Sequence, residues 1–251
     1  MLRKCRPILV FVVLAFALVS GCSIGKQQRN DAESHYMLGV SYLQEQNSTQ
    51  ALKEFLQAAE LAPGRADVQQ ALAQAYYQKK AYQLAEKHYL KALELTPDDP
   101  QIENNLAALY LNMQRWNEAI RYFRKASKNL LFSSAEVALT GAGVASFQKG
   151  DNVEAIAFYK EAIAANPGYA PAFLHLGEVY SAMDKPDLAV GEYRHAISLV
   201  PDYAGAHYQL ALAYLKLGDR GRAESHFREV IRITPEGETA MLSRDYLKLL
   251  H

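Results

Sequence analysis

APAFLHLGEVYSAMDKPDLAVGEYRHAISLVPDY, residues 170–203, is the stretch that decides how this chain folds. Phe173, Leu176, Gly177 and Tyr180 fall on one face of a first helix, and Ala189, Tyr193 and Ala196 on one face of a second. The small Gly177 lets the two helix backbones approach, and the tyrosines fill the space on either side. Proline cannot continue the second helix, so Pro201 fixes where the next unit begins.

Moving outward from this stretch, the same residue types return at a fixed interval. Pro63 and Pro97 are 34 residues apart, as are Pro167, Pro201 and Pro235 in succession. Aligned on those prolines, the first block gives Leu38, Gly39, Tyr42, Ala51, Phe55 and Ala58; the second gives Leu72, Ala73, Tyr76, Ala85, Tyr89 and Ala92. The third gives Leu106, Ala107, Tyr110, Ala119, Phe123 and Ala126, with Leu131 in place of the proline. The fourth, displaced by two extra residues, gives Leu139, Gly143, Ala155, Tyr159 and Ala162, and the sixth gives Leu210, Ala211, Tyr214, Ala223 and Phe227. A repeat of this length is one supersecondary unit that buries its apolar face by stacking on its neighbours.

In period and in residues the pattern resembles the tetratricopeptide repeat (TPR). The resemblance implies an all-α fold, an α-solenoid of six helix–turn–helix repeats over residues 32–65, 66–99, 100–135, 136–169, 170–203 and 204–235. The last segment, 236–251, carries Met241, Leu242, Tyr246, Leu247, Leu249 and Leu250 with charges between them. It reads as the helix that caps the open end, not as a seventh repeat.

The N-terminus has a different character. Arg3, Lys4 and Arg6 precede an unbroken apolar run from Ile8 to Val19, too short for the roughly 20 residues of a membrane-spanning helix. This is the charge and apolar pattern of an export signal. The following Val19-Ser20-Gly21-Cys22 resembles the lipobox of bacterial lipoproteins, which implies cleavage after residue 21 and lipidation of Cys22. Several acyl chains, at about 0.8 kcal/mol per buried CH₂, would hold the chain on a membrane. Ser23, with no aspartate after the cysteine, points by the same resemblance to the outer membrane and its periplasmic face, with residues 22–31 as a short tether.

Composition narrows the function classes. The 251 residues are 50% hydrophobic and 22% charged, a globular balance that excludes disorder and collagen-like structure. Basic and acidic residues are equal at 27 each; loss of residues 1–21 removes three cations and leaves the remainder mildly acidic. A nucleic-acid binder that works by counterion release is thereby disfavoured. The two cysteines, Cys5 and Cys22, cannot form a disulfide once the signal is removed. The seven histidines form no cluster at metal-ligand spacing, and His35 and His207 occupy packing positions. Gly141-Ala142-Gly143 lies within a helix as a packing feature, and Asp98-Asp99 as loop and cap acids. No nucleophile stands at a recognisable distance from a base. The expectation is therefore no enzyme, no cofactor, no metal and no small-molecule substrate.

Function is expected on the surface. In the TPR family the first helices line a concave groove, and carrying that register over places Gln70, Gln74, Tyr77, Asn104 and Asn112 in it from repeats two and three. Repeats four to six supply Val137, Val144, Phe147, Leu174, Tyr208, Leu212 and Leu215. One end is thus polar amide and the other apolar, as expected of a protein or peptide site. The junction of repeats three and four, Ala126 to Ala135, has two extra residues, no proline, and the apolar run Leu130, Leu131 and Phe132.

The order of signal, lipobox, three repeats, longer junction and three repeats resembles the type IV pilus biogenesis lipoproteins, the pilotin family of PilF, PilW and Tgl. That resemblance implies a lipid-anchored, non-catalytic scaffold that promotes assembly or stability of the pilus secretin. Leu130, Phe132 and the apolar groove residues are the docking candidates. The alternative is a scaffold of another envelope machine, in outer-membrane protein assembly, peptidoglycan synthesis or polysaccharide export.

Overall fold

The computed structural model describes residues 27–250, so the signal segment and Cys22 lie outside the described residues. Thirteen helices and no strand are present among them. They are α1 (27–44), α2 (Ser48–Leu61), α3 (Ala66–Gln78), α4 (Tyr82–Leu95), α5 (Pro100–Asn112), α6 (Trp116–Ser127) and α7 (Ala135–Lys149). There follow α8 (Asn152–Ala165), α9 (Ala170–Ala182), α10 (Pro186–Leu199), α11 (Ala204–Lys216), α12 (Arg220–Ile233) and α13 (Glu238–Leu250). Two compact units divide the chain after Ile102. Residues 27–31, which the sequence suggested as tether, are helical: they form the start of α1, whose Ala32 is completely buried.

Each helix pair is locked by an aromatic ring resting on a small residue. In the first unit the Phe55 ring of α2 lies so close to Gly39 of α1 that a Cβ there would sit 2.5 Å from it. In the second unit Tyr159 covers Gly143 and Tyr193 covers Gly177 at the same 2.5 Å. Ala73, Ala107 and Ala211 hold the equivalent register, each fully buried. Phe123 of α6 also reaches forward into the following pair, where Gly141 of α7 makes room for its ring at 2.5 Å. Both glycines of Gly141-Ala142-Gly143 are therefore ring seats, one for each neighbouring helix.

The turn inside each pair is built one way six times. The N–H five residues on bonds back to the carbonyl of the last helical turn: Asn47 to Tyr42 (2.8 Å), Ala81 to Tyr76, Arg115 to Tyr110, Asp151 to Ser146, Lys185 to Tyr180 and Asp219 to Tyr214 (each 2.9 Å). This closure requires one left-handed residue. Gly150 (φ 93°) and Gly218 (φ 77°) adopt that conformation without a Cβ penalty, but Gln46, Lys80, Gln114 and Asp184 do so at φ 55–59° with one. Between pairs, five prolines stand two residues past the end of α2, α4, α8, α10 and α12. Asp99 caps α5 by accepting from the N–H groups of Gln101 (2.9 Å) and Ile102 (3.1 Å).

At the C-terminus α13 packs on α12 and α11, and the Tyr246 ring stacks on Phe227 at 5.0 Å and 4°. In the 34-residue register, Leu210, Ala211 and Tyr214 become Arg244, Asp245 and Lys248. The positions that would meet a further second helix are charged and exposed, which ends the array.

Two stability predictions follow from these contacts. Gly177→Ala should be close to neutral, since three other repeats carry alanine there, whereas Gly177→Val should cost about 2 kcal/mol through displacement of Tyr193. Lys80→Gly and Gln114→Gly should each raise the unfolding free energy by about 1 kcal/mol, and Gly150→Ala should lower it by a similar amount. Urea denaturation followed by circular dichroism measures all five, and a stable Gly177→Val would mean that the ring does not need its seat.

Candidate functional site

The two units present different surfaces on their first helices. In the first unit α1 and α3 enclose a cleft of about 450 Å³ lined by Tyr36, Val40, Leu43, Gln44, Asp67, Gln70, Ala71, Gln74 and Gln78. Four side-chain amides thus project into one cleft, including Gln70 and Gln74 expected from the sequence. Tyr77 is half-buried, and its ring meets Tyr82 of α4 at 5.9 Å, outside this lining. At the edge of the cleft Arg65 donates to Glu33 (2.6 Å) and Asp67 (2.5 Å) and lies 5.0 Å over the Tyr36 ring. Its hydrogen bond holds the Asp67 carboxyl below the usual carboxylate range, and burial, then the Asp67 charge, raises the Tyr36 phenol. Paired amides of this kind can donate to and accept from the main chain of an extended segment without a net charge.

In the second unit the corresponding face is apolar. Val144 and Phe147 of α7 are half-buried against a core that includes Tyr159 and Leu176. Tyr208, Leu212 and Leu215 of α11 are half-buried against the core around Leu210 and Phe227, with the Tyr208 ring edge-on to Phe227 at 6.0 Å. Val137 is exposed, and Asn104 and Asn112 are half-buried and exposed respectively. Leu174 is a correction: only 7% of it is exposed, because it turns against the start of α11, where the small Gly205 leaves room. It supports the surface from beneath and does not line it.

Three further residues belong to this face, two beyond Pro235 and one in the fifth repeat. Leu242 and Leu249 of α13 repeat Tyr208 and Leu215 at the 34-residue interval, and they are 42% and 81% exposed. The apolar face therefore continues onto the terminal helix. Glu178 takes the register of Val144 and Leu212 in the fifth repeat, where its carboxylate accepts from His175 Nδ1 at 2.8 Å. The period itself would have found all three.

The histidines act as inter-helix fasteners 19 residues apart: His35 Nδ1 with Glu54 (2.7 Å), His88 Nδ1 with Gln69 (2.8 Å) and His207 Nδ1 with His226 Nδ1 (2.9 Å). His207 Nε2 lies 2.9 Å from the Pro201 carbonyl, which can only accept. With the Nε2 proton directed at that carbonyl, His207 Nδ1 becomes the acceptor and His226 Nδ1 donates to it. Among the described residues no group of three His, Cys, Asp or Glu side chains could hold a metal ion. At the α6–α7 junction Leu130 and Leu131 are fully in solvent and Phe132 is half-buried. No helix of the described residues is long and apolar enough to cross a membrane.

These features meet in one class. Residues 36–100 and 104–170 match a family model described as tetratricopeptide repeat, 186–218 one described as TPR repeat, and 204–236 a further tetratricopeptide-repeat model. The chain belongs to the tetratricopeptide-repeat family, and its fold class is the all-α TPR solenoid. Among solved structures it is similar to PilF of Pseudomonas aeruginosa, with TM-score 0.72 and 20% identity over 88% of this chain and 99% of that one. It is also similar to PilW, described as a widely conserved type IV pilus biogenesis factor, with TM-score 0.74 and 22% identity over 84% and 97%. YrrB, described as a TPR protein with an unusual peptide-binding site, matches at TM-score 0.54 and 19% identity over 76% and 97%. At these identities it is the fold that is shared. Comparison with curated protein sequences gave no match.

The half-buried His88 and His226 generate a pH prediction. Burial first, and then the His207 beside it, holds the His226 imidazole below its ordinary value; burial, then Lys87 and Lys91, does the same for His88. The unfolded chain binds protons near pH 6.5 where the native rings resist them, so stability should be level above about pH 7 and fall as pH drops below 6.5. His226→Gln should flatten that slope between pH 6.5 and 5. Thermal melts across this range would contradict the assignment if stability rose on acidification.

Proposed function

We propose that this chain is a lipid-anchored, non-catalytic scaffold of the type IV pilus apparatus that binds a protein partner through its first helices and promotes assembly or stability of the pilus secretin. The observation that carries the reading is the fit to PilF and PilW along nearly their entire lengths. Many TPR proteins share the repeat, but here 88% and 84% of this chain superposes on 99% and 97% of two pilus proteins. The lipobox-like Val19-Ser20-Gly21-Cys22 agrees with it, since a secretin is built in an outer membrane.

The two surfaces suggest how a partner is held. An extended segment would satisfy its main chain on Gln44, Gln70, Gln74 and Gln78, while an apolar segment would cover Phe147, Leu212, Leu215, Leu242 and Leu249. A subunit on its way to a membrane exposes apolar surface, and a face of this kind removes it from water. Acylation of Cys22 would place binder and partner on one bilayer, which raises their effective concentration without any added contact. YrrB, similar in fold, is described as having an unusual peptide-binding site, which supports the reading that a peptide segment is taken up here.

In a strain that lacks the gene, the secretin multimer seen on an unboiled gel should be lost, and the wild-type gene should restore it. Cys22→Ala should restore it poorly. Leu242→Asp with Leu249→Asp, both at exposed positions, should lower the multimer at least tenfold while the helical content and melting temperature of the purified chain stay unchanged. Full multimer with both charges present would remove the apolar face from the mechanism, and full multimer in the deletion strain would remove the pilus reading itself.

A further inference from the structure

Residues 128–134 connect α6 to α7 and leave two adjacent leucines wholly in solvent, Leu130 at 101% and Leu131 at 91% exposure. Asn129 sets this geometry. Its Oδ1 accepts from the Leu131 N–H (2.9 Å) and its carbonyl from the Phe132 N–H (3.0 Å), closing a turn that carries both leucines at its tip. α6 leads into the turn with Arg121, Arg124, Lys125 and Lys128, all exposed and spaced to share one helix face. Arg124 is paired with Glu154 at 2.9 Å and Lys125 with Glu103 at 2.5 Å. Arg121 lies over the Tyr122 ring at 4.8 Å, and neither it nor Lys128 has a carboxylate within ion-pair distance among the described residues.

The combination selects among possible occupants. The core of a protein interface seats apolar side chains in a shaped recess and is depleted of lysine. Here the leucines protrude from a convex turn with lysine beside them. An acyl layer is fluid and needs no complementary pocket, and the anionic headgroups above it attract cations that flank the inserted residues. We propose that the α6–α7 turn is a membrane contact: Leu130 and Leu131 enter the acyl boundary of an anionic leaflet while Arg121 and Lys128 rest among its headgroups. This goes beyond partner binding and stands whether or not Cys22 is acylated. The tip, added to an N-terminal anchor, would orient the second unit at the bilayer.

The test is a depth measurement on the full chain reconstituted into vesicles of phosphatidylethanolamine and phosphatidylglycerol. Leu131→Cys carries an environment-sensitive fluorophore, Ser225→Cys on the exposed side of α12 serves as control, and labelled wild type reports background from any native cysteine. Quenching by spin-labelled lipid should be at least threefold stronger at position 131 than at 225. It should fall at least twofold in phosphatidylcholine vesicles or with Arg121→Glu and Lys128→Glu together. A probe at 131 quenched no more than the control overturns the proposal. So does a probe that stays in water on vesicles and is shielded only when a protein is added, which would give the turn to a protein partner.

Discussion

The contact on which everything else rests is the aromatic ring of each second helix seated on a small residue of the first. A ring placed where a Cβ would lie 2.5 Å away admits only glycine, or alanine after a slight shift, so helix separation and rotation are both fixed at that point. Once those are fixed, the residues on either side have their fates assigned. In repeats two, three, five and six the leucine one position earlier, Leu72, Leu106, Leu176 and Leu210, goes inside, and the residues on the opposite side of the first helix are left for solvent or a partner. Phe123 adds a second role, since Gly141 receives it from the next pair and joins one repeat to the following one.

Polar fastening follows the same geometry. Because the ring holds the helix axes, a residue on the first helix meets a residue 19 positions on, and the chain uses that meeting point for His35–Glu54, His88–Gln69 and His207–His226. The His207–His226 pair is the most constrained, because the Pro201 carbonyl dictates the tautomer of both rings. Burial, then the neighbouring His207, lowers the His226 imidazole, which makes acid the natural stress at this pair.

The ends and the irregular junction are where this rule is released. At α13 the packing positions turn into Arg244, Asp245 and Lys248, so the array stops, yet the outward positions Leu242 and Leu249 keep their apolar character. A helix that only capped the core would have no reason to expose them. At the α6–α7 turn the two extra residues have no seat in either pair, and Asn129 folds them into a tip. Surface properties of interest thus appear where repeat packing makes no demand.

Most of the fold was legible in the sequence, because the period and the ring-on-small pattern are local: Leu176, Gly177, Tyr180 and Tyr193 declare a helix pair without reference to any other part of the chain. The candidate groove was legible only in outline. Gln70 and Gln74 face the cleft as the register requires, but the burial of Leu174 depends on how α11 starts against it, and no single-repeat pattern records that. Likewise the left-handed turns at Gln46, Lys80, Gln114 and Asp184 carry no glycine to announce them; only the closing hydrogen bond from the next residue imposes them. The polar residues 27–31 carry the character of a tether, and that they belong to α1, with Ala32 buried just beyond them, is visible only in three dimensions. The sequence by itself determined the repeats, because they arise from side chains within 34 residues of one another. Tertiary structure decided which of those side chains remain in contact with water, because exposure is settled by the neighbour that packs, or fails to pack, on each face.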